Sequence, residues 1–264
     1  MSDALLARDD APVSSRLWEL LDGTMTAVAR GELAGRRLLA VDGPYGLGVK
    51  GVPLPDEEVG DGVYVAGVLP LTYIRRPFSL RPRDVAAFER EPSSLDLGPL
   101  VEATRAVARA EDALVFTGDK ARPGLTALGE AARVRLSSWE QVGTAQNDVI
   151  AAVGALDDAG FHGPYAVALA PRRYNLLLRR FETAAVSEHE ALRSVATEGV
   201  FKAPALDDGG VVVQAGREFL QLVVGQDMTI GFEGLADGRL DFTVTESLAL
   251  RVLVRQAVCR LATR

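Results

Sequence analysis

The chain is poor in the side chains from which metal and nucleophile sites are most often built. Its 264 residues include two histidines, His162 and His189, and one cysteine, Cys259. A single thiol excludes an intrachain disulfide framework and fits a reducing compartment, so the expected location is the cytoplasm. Two histidines and one thiol leave little material for a zinc site, and no calcium-loop pattern is present. Basic charge is short as well. With 29 Lys and Arg against 36 Asp and Glu, the net charge of −7 argues against a general nucleic-acid partner. No apolar run approaches the length of a membrane span. The opening MSDALLARDDAPVSS has too short an apolar run and too many acids for a secretion signal.

What is present is ordinary globular material, 48% hydrophobic, with length enough for one large domain or two small ones. Ser14-Ser15 can cap a helix to about Leu33, with Leu17, Trp18, Leu21, Met25 and Val28 on one stripe. Arg36 to Val41 reads as a strand. Residues 61–77, broken by Pro70, read as an extended arm whose segment Val63 to Val68 lacks obvious in-chain partners. A long helix spans 98–115, and a second begins at the capping-box pattern Ser137-Ser-Trp-Glu140 and ends before Gly160. Tyr165–Ala170 is a buried strand, Pro171 to Phe181 a short helix, and Ser187-Glu-His-Glu190 a second capping box opening a helix to about Gly199. Three β segments follow: Gly210 to Gln214, Phe219 to Phe232 and Leu240 to Val254. Without regular βαβ alternation the class is α+β.

The motifs that suggest chemistry fail on inspection. Gly46-Leu-Gly-Val-Lys-Gly51 satisfies G-x-G-x-x-G, but Pro53 and Pro55 follow where the phosphate-binding helix must begin. Cys259 sits in an apolar alternation and reads as a buried, inert thiol. Ser247 has neither a nucleophile-elbow pattern nor a nearby histidine. Glu188-His189-Glu190 suits the first turn of a helix better than a metal set. No enzyme is expected.

A set of short stretches, in order along nearly the whole chain, resembles one family. They are GRRLLAVDGPYG from Gly35, VLPL from Val68, RPFSL from Arg76 and AEDALVFTG from Ala110. GPYAV from Gly163, GQDMTIGF from Gly225 and TESLALRV from Thr245 complete it. The chain thereby resembles the encapsulins, the linocin-like shell proteins of bacterial and archaeal nanocompartments.

The resemblance implies an HK97-phage-like major capsid protein fold, with a peripheral domain, an axial domain, an extended loop and an N-terminal helix. On this chain those parts fall at 1–49 (lumen-facing helix and strand), 50–80 (intersubunit arm), 81–135 with 209–264 (peripheral) and 136–208 (axial). It implies a homo-oligomer, the smallest (T=1) icosahedral shell of roughly 60 copies. Such a shell encloses a cargo enzyme, typically a ferritin-like protein or a dye-decolorizing peroxidase, which makes iron storage or peroxide defence the expected setting. The cargo's C-terminal peptide would meet Trp18, Leu21, Met25, Arg36, Leu38, Ile230 and Phe232, unless the helix stripe is simple core. Ala40 stands where many relatives carry Asp, so one polar contact is missing. The five-fold pore would be lined by Thr183, Ala184, Ala185, Val186, Ser187, Glu188 and His189, with Glu188 and His189 near a pH-responsive constriction. Arg81-Pro82-Arg83 replaces the aromatic that holds a flavin in some relatives, so no cofactor is expected. Two other readings remain at this point: a small soluble α+β metal-binding protein or enzyme using Glu188 and His189, and a phage capsid subunit.

Overall fold

The computed structural model describes residues 5–91, 95–181 and 186–263. The order is α1 (Ser15–Glu32), α2 (Gly35–Leu38), β1 (Ala40–Asp42), β2 (Gly51–Gly60), β3 (Val63–Pro70), β4 (Thr72–Leu80), α3 (Pro82–Arg90) and α4 (Gly98–Phe116). It continues with β5 (Ala132–Arg135), α5 (Thr144–Asp158), β6 (Tyr165–Leu169), α6 (Pro171–Leu176), α7 (Glu188–Arg193) and β7 (Gly199–Lys202). The last strands are β8 (Gly210–Gln214), β9 (Leu220–Val224), β10 (Thr229–Ala236), β11 (Arg239–Val252) and β12 (Val258–Ala262). The chain divides into two units: Met1–Glu32, Gly43–Ala110 and Val223–Ala249, then Leu33–Asp42, Glu111–Leu222 and Leu250–Arg264.

In the first unit β11 pairs antiparallel with β10 and with β4. Helix α1 lies against β10 and buries Leu17, Leu21, Met25 and Ala29, a four-residue spacing that keeps one stripe inward. Phe242 of β11 is fully buried, stacked on Phe78 at 5.3 Å and edge-on to Trp18 at 5.7 Å. The β2–β3 hairpin is a separate two-stranded ribbon. Its base is anchored by Val52 and Leu69 packing with Val223 and Ala249, while Val59, Val63, Tyr64, Val65 and Val68 are each more than half exposed. Gly43 precedes it at φ 115°, and a Cβ there would fall 2.2 Å from the Val224 carbonyl oxygen, so only glycine fits. No helix opens after Gly51, which starts β2.

In the second unit a sheet runs β5–β12–β8–β6–β7, with parallel pairs at both ends and antiparallel pairs inside. Strand β6 is buried along its whole length. Helix α5 covers the sheet with Ala145, Val149, Ala152 and Leu156, against a core that includes Trp139, Leu192 and Cys259. Burial pushes the Cys259 thiol up to about 11, so it is protonated and inert at neutral pH.

Several local expectations are corrected. Gly35–Leu38 is a turn of helix, with the strand confined to Ala40–Asp42. Asp112 favours this turn: its carboxylate accepts from the Ala34 and Gly35 amides at 2.9 Å each and so caps the helix start from outside. The Ser137 capping box does not form. Asp148 instead accepts from the Ser137 amide (2.7 Å), the Ser137 hydroxyl (2.8 Å) and the Trp139 indole (2.6 Å), and α5 starts only at Thr144. Val63–Val68 does have an in-chain partner, β2, and the segment after Pro70 belongs to the β4–β11 sheet, not to the arm. Helices α6 and α7 end at Leu176 and Arg193, short of Phe181 and Gly199. The Phe219–Phe232 segment splits at Gly225-Gln226, where the Gly225 amide donates to the Ser247 carbonyl and the Gln226 amide to the Ser247 hydroxyl.

Candidate functional site

The seven residues expected to meet a cargo peptide fall in both units. In the first, Leu21, Met25 and Ile230 are buried and contribute to the core. Trp18 and Phe232 are half-buried, and both rings contact Phe242. Their neighbourhood holds residues that the sequence did not single out. The Leu6 carbonyl accepts the Phe232 amide at 2.9 Å. Arg8 places its guanidinium 4.0 Å from the centre of the Trp18 ring and bonds both oxygens of Asp22, at 3.2 and 2.6 Å. No periodicity links Arg8 to Asp22, so sequence reading had no signal for them.

In the second unit, Leu38 is 4% exposed and lines a cavity of about 260 Å³ with Arg37, Ala40, Glu198 and Gln214. Arg36 donates from Nε to both oxygens of Glu111, at 3.0 and 3.1 Å. Glu111 is fully buried, so this guanidinium compensates a carboxylate that would otherwise be stranded. Beside it Asp112 is 2% exposed. Burial raises its pKa from 3.8 to about 6, against the opposing pull of the Gly35 and Ala34 amides. The signal for this pair was two adjacent acids inside the AEDALVF run of a long helix.

Of the pore residues, Thr183, Ala184 and Ala185 lie outside the described residues. Val186 is exposed, and Ser187 caps α7 with the reciprocal bonds to Glu190 that its motif predicts. Glu188 is fully buried. Its Oε1 accepts from the Gly143 amide at 2.9 Å and the Gln146 amide at 3.1 Å, and Arg179 stands 3.8 Å from Oε2. This carboxylate therefore caps α5 from another helix, where the amide ends favour negative charge. His189 is half-buried and its Nε2 meets the Tyr174 hydroxyl at 3.2 Å. Among the described residues no group of three or more His, Cys, Asp or Glu side chains is placed to hold a metal ion. The reading of Glu188 and His189 as a metal or enzyme site is not favoured. Among the described residues, no helix is long and apolar enough to cross a membrane.

The exposed apolar ribbon, the helix-covered sheet and the separate α/β unit are parts that the resemblance implies for a capsid-type fold. Comparison with known proteins agrees. The capsid of Myoviridae phage XM1 shares the fold, with a TM-score of 0.58 at 12% identity over 84% of this chain and 88% of that one. The virus-like particle from Pyrococcus furiosus is more similar, with a TM-score of 0.75 at 20% identity over 93% and 99%. The type 1 encapsulin shell protein EncA of Myxococcus xanthus is 34% identical, covering 97% of this chain and 96% of that protein. A family model described as "Encapsulating protein for peroxidase" matches residues 2–249. The chain belongs to the encapsulin shell protein family, and its role is structural, not enzymatic.

Proposed function

We propose that the chain closes into a T=1 icosahedral shell of roughly 60 copies in the cytoplasm, and that its inner surface captures a cargo enzyme by a C-terminal peptide. The observation that carries the assembly reading is the β2–β3 hairpin. Val63, Tyr64, Val65 and Val68 are 53–61% exposed on a ribbon with two open edges, a surface that a monomer has no reason to keep. A neighbouring copy is the natural cover. In this reading the hairpin is the intersubunit arm, and the segment around Val186 to His189 faces a pore that admits small molecules. The family description points to a peroxidase as cargo, with a ferritin-like protein as the alternative. Within the first unit Trp18 and Phe232 keep surface to offer a peptide, whereas Leu21, Met25 and Ile230 are buried in that unit's core; in the second unit Arg36 is partly exposed and Leu38 is buried.

The test is the double variant Val63→Glu/Val65→Glu. Because both side chains are exposed in the chain, the subunit should fold with unchanged circular dichroism and thermal midpoint. It should elute as a small species instead of a particle. Particles at wild-type yield would remove the hairpin from the assembly contact.

A further inference from the structure

The N-terminal segment lies on the first unit in a manner specific enough to read as recognition. Strand β10 bonds β11 along one edge, and at Phe232 its amide donates to Leu6. A Cβ on the adjacent Gly231 would come within 3.3 Å of the Leu6 carbonyl oxygen and 3.5 Å of its Cδ2. Leu6 thus sits directly on the strand, and the lack of a side chain at 231 makes room for it. Ala7 adopts φ 49°, a left-handed turn that brings Arg8 back over Trp18. There the guanidinium stacks on the indole and forks onto the Asp22 carboxylate.

The contact therefore has three parts: an aliphatic side chain and its carbonyl against β10, a residue in the left-handed region, and an arginine held by Trp18 and Asp22. One backbone bond ties Leu6 to β10, and the Arg8–Asp22 fork has side chains 21% and 40% exposed to competing water, so the segment can exchange with a peptide that offers the same groups. We infer that this surface is the specificity-determining part of the peptide site, that it reads an aliphatic residue followed two positions later by arginine, and that the chain's own Leu6-Ala7-Arg8 fills it until a cargo peptide of that pattern displaces it. The inference rests on the proposed reading that cargo is captured by a peptide on this face. Because the middle position is left-handed, glycine suits it better than alanine, and a Leu-Gly-Arg tail should outcompete the resident segment.

The experiment co-expresses the full chain with a fluorescent reporter ending in a Leu-Gly-Arg tail, purifies particles by size and measures reporter per shell. Asp22→Arg should lower loading about tenfold, the loss expected when the fork meets a like charge, and a Leu-Gly-Glu tail should recover it. Removing residues 2–8 should raise loading of the Leu-Gly-Arg reporter about threefold or more, because a site closed by its own chain binds in proportion to its open fraction. If the shortened chain forms no particles, Leu6→Ser/Arg8→Ala at full length takes its place with the same expectation. Failure of both to form particles assigns the segment to folding and overturns the proposal. Loading that ignores Asp22, the tail charge and the segment also overturns it, while leaving capture by the shell intact. Particles that never take up the reporter contradict capture through this surface, and a wild-type chain that forms no particle contradicts the shell reading itself.

Discussion

Asp112 shows how a single residue sets local backbone and leaves a measurable trace. It is buried, accepts three amide contacts from Ala34 and Gly35, and has its pKa raised from 3.8 to about 6 because burial outweighs those bonds. Between these two values the native state keeps a proton that the unfolded chain has released. Its contribution to stability is thus full below about pH 4 and lost as pH rises through about 6, a change of about 3 kcal/mol. Asp112→Asn removes this titration. Denaturant unfolding should show the wild type losing about that much relative to the variant between roughly pH 4 and pH 7. A difference that stays flat with pH would show that Asp112 titrates normally. None of this was legible locally, since the acid lies 78 and 77 residues from the Ala34 and Gly35 amides it holds. What the sequence did show was the pair of acids on an apolar helix. Cys259 was legible outright, because a thiol within alternating apolar residues has nowhere to go but the core.

Elements followed their periodicity where burial alone decides them and departed from it where a distant side chain intervenes. Helices α1 and α4 were readable from their stripes, and β6, β8 and α7's capping box from local pattern. The start of α5 was not, because Asp148 draws Ser137 and Trp139 into a loop and Glu188 supplies the cap at Gly143 instead of at Ser137. Glu188, which the resemblance places beside a pore, is buried in the subunit and caps α5 from another helix. Glu188→Ala should leave the Gly143 and Gln146 amides without this acceptor and cost about 1–3 kcal/mol, seen as a lower thermal midpoint. Unchanged stability together with altered ion passage would return Glu188 to the pore.

At the scale of the whole molecule, the β2–β3 ribbon leaves Val59, Val63, Tyr64, Val65 and Val68 each more than half exposed. Its exposed valines and Tyr64 are consistent with assembly, and its anchored base with a fixed direction of projection from the first unit. The fold was legible because an ordered set of short stretches spans the chain. Which side chains remain available to a partner was not, because a stripe that faces a core and a stripe that faces a groove have the same spacing. The most direct test is the mass and appearance of the purified chain, by light scattering and electron microscopy. With about 60 copies of a 28.1 kDa subunit, hollow particles of about 1.7 MDa are expected. A monodisperse monomer or dimer at the same concentration would contradict the account.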